Sequence, residues 1–268
     1  TRFIDYDNDG DLDIVLSGNV NGFNLYQNQG NDSFIKLTSL NIYGGSGGTN
    51  DWGDYNSDGF PDLLLTGGSS SIYKNNGNGT FSYQSGTGLP NTSNATGNWC
   101  DVDNDGDFDI IITGTSNSSD ITKIYINNGN NTFSELTGLT IDGVSEGSVD
   151  VGDYDNDNDI DIIISGKKGP EKICKIYING STTNNPAPPA PVGLTTSVSD
   201  KNIILEWNRV SGDNTNEKSL TYNVLSGTAT NGIDIINPMS IPSSGFRKIA
   251  STGNSHFNTV LILRNIKK

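Results

Sequence analysis

The chain has 268 residues, enough for two domains of ordinary size, and its 33 glycines and 32% apolar fraction suit short strands and turns better than helices. Its net charge of −15 is unevenly spread: residues 1–191 carry 26 acidic and 8 basic side chains, residues 192–268 carry 5 and 8. Such acidity repels nucleic acid and anionic membranes, and no apolar run is long enough for a membrane-spanning helix.

The chain starts at Thr1 without a charged-then-apolar leader, and a fragment of something longer is the expectation. Four acidic loops, 5–13, 54–62, 101–109 and 153–161, begin 49, 47 and 52 residues apart. A large apolar residue stands two places before each: Phe3, Trp52, Trp99 and Val151. These mark a strand A. After each loop comes an apolar run without polar alternation: Ile14-Val15-Leu16, Leu63-Leu64-Leu65, Ile110-Ile111-Ile112 and Ile162-Ile163-Ile164. This pattern predicts a strand B covered on both faces. Strand C carries Leu25-Tyr26, Ile72-Tyr73, Ile124-Tyr125 and Ile176-Tyr177. Asn-Gly turns such as 75–79 and 127–130 then predict tight hairpins. Phe34, Phe81 and Phe133 open a strand D, which the fourth unit lacks.

Four short antiparallel strands per unit of about 50 residues is the pattern of a propeller blade. The chain is therefore expected to be all-β, with four visible blades of a β-propeller over residues 1–181. Further blades are expected upstream; a closed four-bladed ring is the alternative. Cys100 and Cys174 fall on different strand types and are expected to be small apolar fillers, not a disulfide.

The loops point to a metal. Oxygen-bearing side chains at positions 1, 3, 5 and 9 suit a chain wrapped around a cation, with a backbone carbonyl at position 7 and a sharp turn at position 6. Gly10, Gly59 and Gly106 occupy position 6, and Asn158 replaces glycine in the fourth loop. All-oxygen ligands in an adaptable loop favour Ca²⁺ over Mg²⁺. An EF-hand fails on spacing, since its twelfth position would be Leu16, Leu65, Ile112 or Ile164. A merely solvated acidic turn does not explain four copies at one place in the repeat. The loops hold 18 of the 31 acidic residues, which repel one another without a counter-ion. The second loop, with Asn56 and Phe60-Pro61 in place of acids, is expected to be the weakest.

The pattern Asp-Tyr-Asp-Asn-Asp-Gly-Asp-Leu-Asp-Ile, followed by Leu-Tyr-x-Asn-x-Gly-x-x-x-Phe, resembles the FG-GAP (VCBS-type) repeat, related to the integrin α-subunit propeller. The resemblance covers roughly residues 1–180. It implies a ring of typically seven blades with about one Ca²⁺ per A–B loop, four in this chain. The implied ligands are Asp5, Asp7, Asp9 and Asp13; Asp54, Asn56, Asp58 and Asp62; Asp101, Asp103, Asp105 and Asp109; and Asp153, Asp155, Asp157 and Asp161. Asp11, Phe60, Asp107 and Asp159 would add backbone carbonyls.

Residues 182–191 are a Pro-rich linker, semi-rigid by composition. Beyond it, Ile203–Trp207 alternates and Thr221–Leu225 follows a polar turn. Pro…Gly-Leu-Thr…Leu-x-Trp…Tyr-x-Val resembles a fibronectin type III domain, so residues 192–268 are expected to form an incomplete immunoglobulin-like β-sandwich. Trp207 and Tyr222 would sit in its core.

Catalysis is not expected. His256 is the one histidine, too little for a triad or a zinc site. The glycines of 44–48 precede no lysine and no helix, so they form no phosphate loop. Trp52 and Trp99 are expected in the blade core, not on sugars. The expected function is a secreted or cell-surface, calcium-binding adhesion module. Its partner would be a protein or carbohydrate ligand held on the propeller face opposite the calcium loops, through loops at 17–22, 66–71, 114–122 and 165–172, and at 38–48, 85–96 and 137–147. No nucleic acid and no membrane insertion are expected. The alternative is a non-catalytic accessory region of a larger secreted enzyme, such as a polysaccharide lyase, glycosidase or peptidase.

Overall fold

The computed structural model describes residues 1–18, 22–31, 33–38, 40–43, 47–155, 157, 159–183, 185–186, 188–199, 202–229, 235–236 and 259–263. Asn158, His256 and the glycines at 44 and 45 lie outside them. The chain divides into two compact units, Thr1–Asp7 with Asp11–Asn185 and Asn8–Gly10 with Pro186–Lys268. Among the described residues there is no helix; every regular element is a strand.

The first unit consists of four consecutive antiparallel sheets. The first holds β1 (Arg2–Ile4), β2 (Asp13–Gly18), β3 (Gly22–Asn28) and β4 (Phe34–Lys36) in sequence order. Next come β5 (Asn50–Gly53), β6 (Asp62–Leu65), the short β7 (Gly68–Ser69), β8 (Ser71–Asn75) and β9 (Phe81–Gln84), with the sheet order β5-β6-β8-β9. The third sheet has β10 (Asn91–Cys100), β11 (Asp109–Ser116), β12 (Ser119–Asn127) and β13 (Phe133–Glu135), with β7 added at the edge beside β10. The fourth has β14 (Ser145–Gly152), β15 (Asp161–Lys168) and β16 (Glu171–Tyr177). These are blades of a partial β-propeller, with strands A to D as the spacing predicts.

Each apolar core is shared by two neighbouring blades. Ile4, Tyr6, Val15 and Leu25 pack with Trp52, Leu63, Leu65 and Tyr73. Tyr55, Leu64 and Ile72 pack with Trp99, Ile110, Ile112 and Tyr125. Cys100, Val102, Ile111 and Ile124 pack with Val149, Ile162 and Ile164. A strand B between two blades therefore buries both faces: Leu63, Leu64 and Leu65, and Ile110, Ile111 and Ile112, are all 0% exposed. Each such side chain contributes about 1.5–3 kcal/mol. The outer blades keep one open face. Phe3 is 60% exposed and Leu16 is partly exposed on the first blade, and Tyr154, Ile163 and Ile176 are exposed on the fourth. Their counterparts in the middle blades are covered by a neighbour.

The aromatic signals converge between blades. Trp99 stacks on Tyr55 at 5.6 Å and 2°, and Phe133 lies 5.8 Å from Tyr55. Trp52 and Tyr6 likewise meet Phe81 at 5.9 and 6.2 Å. Cys100 is buried, Cys174 is exposed, and both are free thiols.

Several stretches predicted as variable loops carry strand structure instead. β10 starts at Asn91 and pairs with β7 through Asn91–Ser69 and Thr92–Gly68. β11 and β12 run on to a two-residue turn in which Asn117 and Ser118 take φ of 48° and 65°, the left-handed geometry that matches strand twist.

The second unit contains β17 (Thr195–Ser199), β18 (Asn202–Glu206) and β19 (Val260–Leu263) in one antiparallel sheet. Trp207, Val210 and Tyr222 form its buried cluster, with the two rings 5.5 Å apart. Residues 221–225, where a fibronectin-like domain would have a strand around Tyr222, form none. Among the described residues their neighbourhood offers only an isolated bridge, Ser226 to Ile236. β19, which no motif announced, pairs with β18 instead.

Candidate metal centre

An antiparallel meander returns its A–B and C–D turns to the same end, so the first three acidic loops lie beside a C–D hairpin and the fourth beside the residues that follow strand C. Position 9 is the first residue of strand B. Asp13, Asp62 and Asp109 are 0% exposed and Asp161 is 2%. Their Oδ1 atoms accept backbone N–H groups from the end of strand C: Asn28 at 2.7 Å, Asn75 at 2.7 Å, Asn127 at 2.8 Å and Asn179 at 2.8 Å. The Oδ2 atoms of Asp13, Asp109 and Asp161 accept the position-2 N–H groups of Tyr6, Val102 and Tyr154. In the second loop Asn56 Nδ2 donates to Asp62 Oδ2 at 2.9 Å instead.

Position 1 folds the loop over itself. Oδ1 of Asp54, Asp101 and Asp153 accepts the N–H of Asp58, Asp105 and Asp157, and Oδ2 of Asp54 and Asp101 accepts that of Gly59 and Gly106. Gly59 and Gly106 take φ of 93° and 94°, the turn for which position 6 needs glycine. Position 4 is left-handed too: Asn8, Ser57 and Asn104 have φ of 59°, 56° and 61°. Asn at position 4 of the first and third loops suits that conformation, while Ser57 gives no such signal.

The loops bring positions 1, 3 and 9 together. Carboxylate oxygens of Asp5, Asp7 and Asp13 lie within 4.8 Å of one another, as do those of Asp101, Asp103 and Asp109 and of Asp153, Asp155 and Asp161. In the second loop Asp54, Asn56 and Asp62 hold the same positions. The position-5 carboxylates serve the turn: Oδ1 of Asp58, Asp105 and Asp157 accepts the position-7 N–H of Phe60, Asp107 and Asp159. Asp9 is exposed and Asp11 half-buried.

The test of these loops as metal sites lies in their unsatisfied oxygens. Oδ1 of Asn56, Asp103 and Asp159 is shut from solvent and accepts no hydrogen bond. A buried acceptor without a donor is costly and calls for an explanation such as an ion. Two of the three are at position 3, where a ligand would face inward. The donor set fits a hard cation, and the arrangement can hold one. The buried side chain of Asp159 went unnoticed in the sequence, which offered only its carbonyl.

The second loop is chemically apart. Lys74 Nζ lies 3.0 Å from Asp58 Oδ2 and supplies part of the missing positive charge. Phe60 at position 7 rests on the hairpin, where a Cβ on Gly77 would come within 2.6 Å of its ring.

Without an ion, burial makes several of these carboxyls harder to ionise. Burial, with help from neighbouring carboxylates and against the backbone hydrogen bonds, raises Asp13 and Asp109 to about 7. Asp101 rises to about 6 for the same reasons, and burial carries Asp62 well above its ordinary value. A raised carboxyl stabilises the fold below the unfolded value near ~3.9, and that contribution is lost as pH rises through the folded value. In EDTA the melting temperature is therefore expected to rise as pH falls from 8 to 5.5. In calcium, the apparent ion affinity is expected to fall across the same window by about tenfold per pH unit for each proton displaced. Thermal melts and ion titrations at the two pH values check this; an affinity independent of pH would contradict it.

Among known families, the chain matches the FG-GAP-like repeat over residues 5–65, 54–112 and 101–164. The three overlapping matches run from loop to loop and cover strand B of the first three blades and the start of the fourth. No curated protein matches the chain.

Proposed function

The chain belongs to the FG-GAP-like repeat family, and from that premise we propose that it is an extracellular, calcium-binding adhesion or recognition module without catalytic activity. The observation that carries the calcium reading is the set of buried loop oxygens at Asn56, Asp103 and Asp159 that accept no hydrogen bond. Asp5, Asp7 and Asp13, with their counterparts in the other loops, would hold the ions. When bound, calcium supplies the positive charge that lets converging carboxylates ionise inside the fold. Everything else is done by the chain: the strand C asparagines fix position 9, and the position-6 glycines close the turn. Placement outside the cell is supported by the abundance of calcium there, which fills even weak oxygen cages.

The open faces of the first and fourth blades would be covered by further blades of the same kind, since their exposed residues occupy the positions buried elsewhere between blades. The partner, a protein or a glycan, would bind at the B–C and D–A end, away from the ions. That end offers Ser-, Gly- and Asn-rich turns and the exposed Leu136 and Leu139. Leu139→Asp is expected to reduce capture of the calcium-loaded chain on glycan or protein arrays by about tenfold, an order typical of a buried interface residue. Asn78→Ser, at the ion-binding end, should leave capture unchanged. Loss with the second variant and not the first would reverse the assignment of the faces.

A further inference from the structure

The strand C asparagine does more than brace its own loop. In each blade its backbone N–H holds the position-9 carboxylate, and its Oδ1 accepts the N–H two residues on: Gly30, Gly77, Gly129 and Ser181. Its Nδ2 donates to the position-8 carbonyl of its own loop, Leu12, Pro61, Phe108 or Ile160. In the second, third and fourth blades the same Nδ2 also crosses to the preceding blade. Asn75 reaches Tyr6 O at 2.7 Å, Asn127 reaches Tyr55 O at 2.9 Å, and Asn179 reaches Val102 O at 2.7 Å.

The accepting carbonyl belongs to position 2, between two ligand positions of the preceding loop. The N–H of the same residue, in Tyr6 and Val102, is bonded to that loop's position-9 carboxylate. A relay of hydrogen bonds therefore connects the first loop to the second and the third to the fourth; between the second and third Asn127 still holds Tyr55 O, but the Tyr55 N–H donates to Gly53 O and not to Asp62. Between the third and fourth it runs from Asp109 Oδ2 to Val102 N–H, from Val102 O to Asn179 Nδ2, and from Asn179 N–H to Asp161 Oδ1. Whatever fixes position 9 and position 2 in one loop presets an acceptor for the asparagine that orders the next.

We infer that Asn75, Asn127 and Asn179 are positioning residues that couple each calcium loop to the loop of the preceding blade, so that ions bind cooperatively along the array. This rests on the calcium reading above. Coupling of this kind is reciprocal: an ion in the fourth loop strengthens binding in the third as much as the converse. Asn28, whose Nδ2 reaches only Leu12 O, marks the end of the relay among the described blades.

The test is a calcium titration of the whole chain by calorimetry, followed by a double-mutant cycle. The wild-type isotherm should be cooperative, with a Hill coefficient above 1. Asp153→Ala disables the fourth loop and should weaken the remaining ions by about fivefold, the lower end of ordinary coupling. In an Asn179→Ala background the same substitution should change their affinity by less than about twofold. A merely structural asparagine would lower the melting temperature and leave that ratio untouched. Asn179 is half-buried, so its variant is the one best suited to fold. Should it fail, the cycle passes to Asp5→Ala with Asn75→Ser, and the wild-type isotherm still decides. Independent steps, with the remaining affinities unchanged by Asp153→Ala, would overturn the coupling while keeping the calcium sites. No heat of binding at all would overturn the calcium reading itself.

Discussion

Excess EDTA is expected to lower the melting temperature of the blade unit by more than about 10 °C. One ion at a hundredfold excess over its dissociation constant stabilises the folded state by ~2.7 kcal/mol. A unit of this size gains roughly 2–4 °C per kcal/mol, so a single ion is worth about 5–10 °C and several ions exceed that. The physical cause is local. Asp13, Asp62, Asp109 and Asp161 are buried at the root of strand B, each with further carboxylates or an amide oxygen aimed at the same space. Removing the cation leaves mutual repulsion and unsatisfied acceptors inside the fold. Differential scanning calorimetry in calcium and in EDTA gives the result. Superimposable curves would mean that the loops are satisfied by the chain alone.

The second large effect separates two aspartates of one loop. Asp109→Ala is expected to destabilise the protein by about 2–5 kcal/mol even in EDTA, because it strands two buried donors, the N–H groups of Asn127 and Val102, as well as deleting a ligand. Asp103→Ala removes a carboxylate whose Oδ1 accepts no hydrogen bond and whose charge is disfavoured by burial and by Asp105, against backbone hydrogen bonds from Asp105 and from Asp103 itself. In EDTA it should be neutral or stabilising by up to about 1 kcal/mol; in calcium it should cost the binding energy of one ion. Urea denaturation of both variants in both conditions measures this. Equal losses for the two in EDTA would show that position 3 has a structural role unrelated to an ion.

Much of this architecture was legible because its causes are local. Strand B announces itself by unbroken apolar runs, and the structure explains them: Leu64 and Ile111 face the next blade while Leu63 and Ile110 face the previous one. The convergence of positions 1, 3 and 9 was legible because their carboxylates recur at fixed offsets in each loop. Where the cause lies in a neighbour, the sequence was silent. Asn75 and Asn127 look like hairpin residues, and they are, yet their amides also serve the blade before them across 69 and 72 residues of chain. Phe3 matches Trp52 in position but not in environment, since it has no preceding blade to cover it among the described residues. In the second unit, Trp207 and Tyr222, which the fibronectin-like resemblance placed in a core, do meet in a buried cluster, but the run containing Tyr222 makes no ladder, and the strand that joins β18 comes from residues 260–263. The resemblance named two buried residues there and not the strand pairing.

The most direct measurement is diffraction from crystals grown in calcium, collected at a wavelength where calcium scatters anomalously. The account predicts a peak among Asp5, Asp7 and Asp13, among Asp101, Asp103 and Asp109, and among Asp153, Asp155 and Asp161, with a weaker one beside Asp54, Asn56 and Asp62. Loops of the same shape without anomalous density at any of the four places would contradict it.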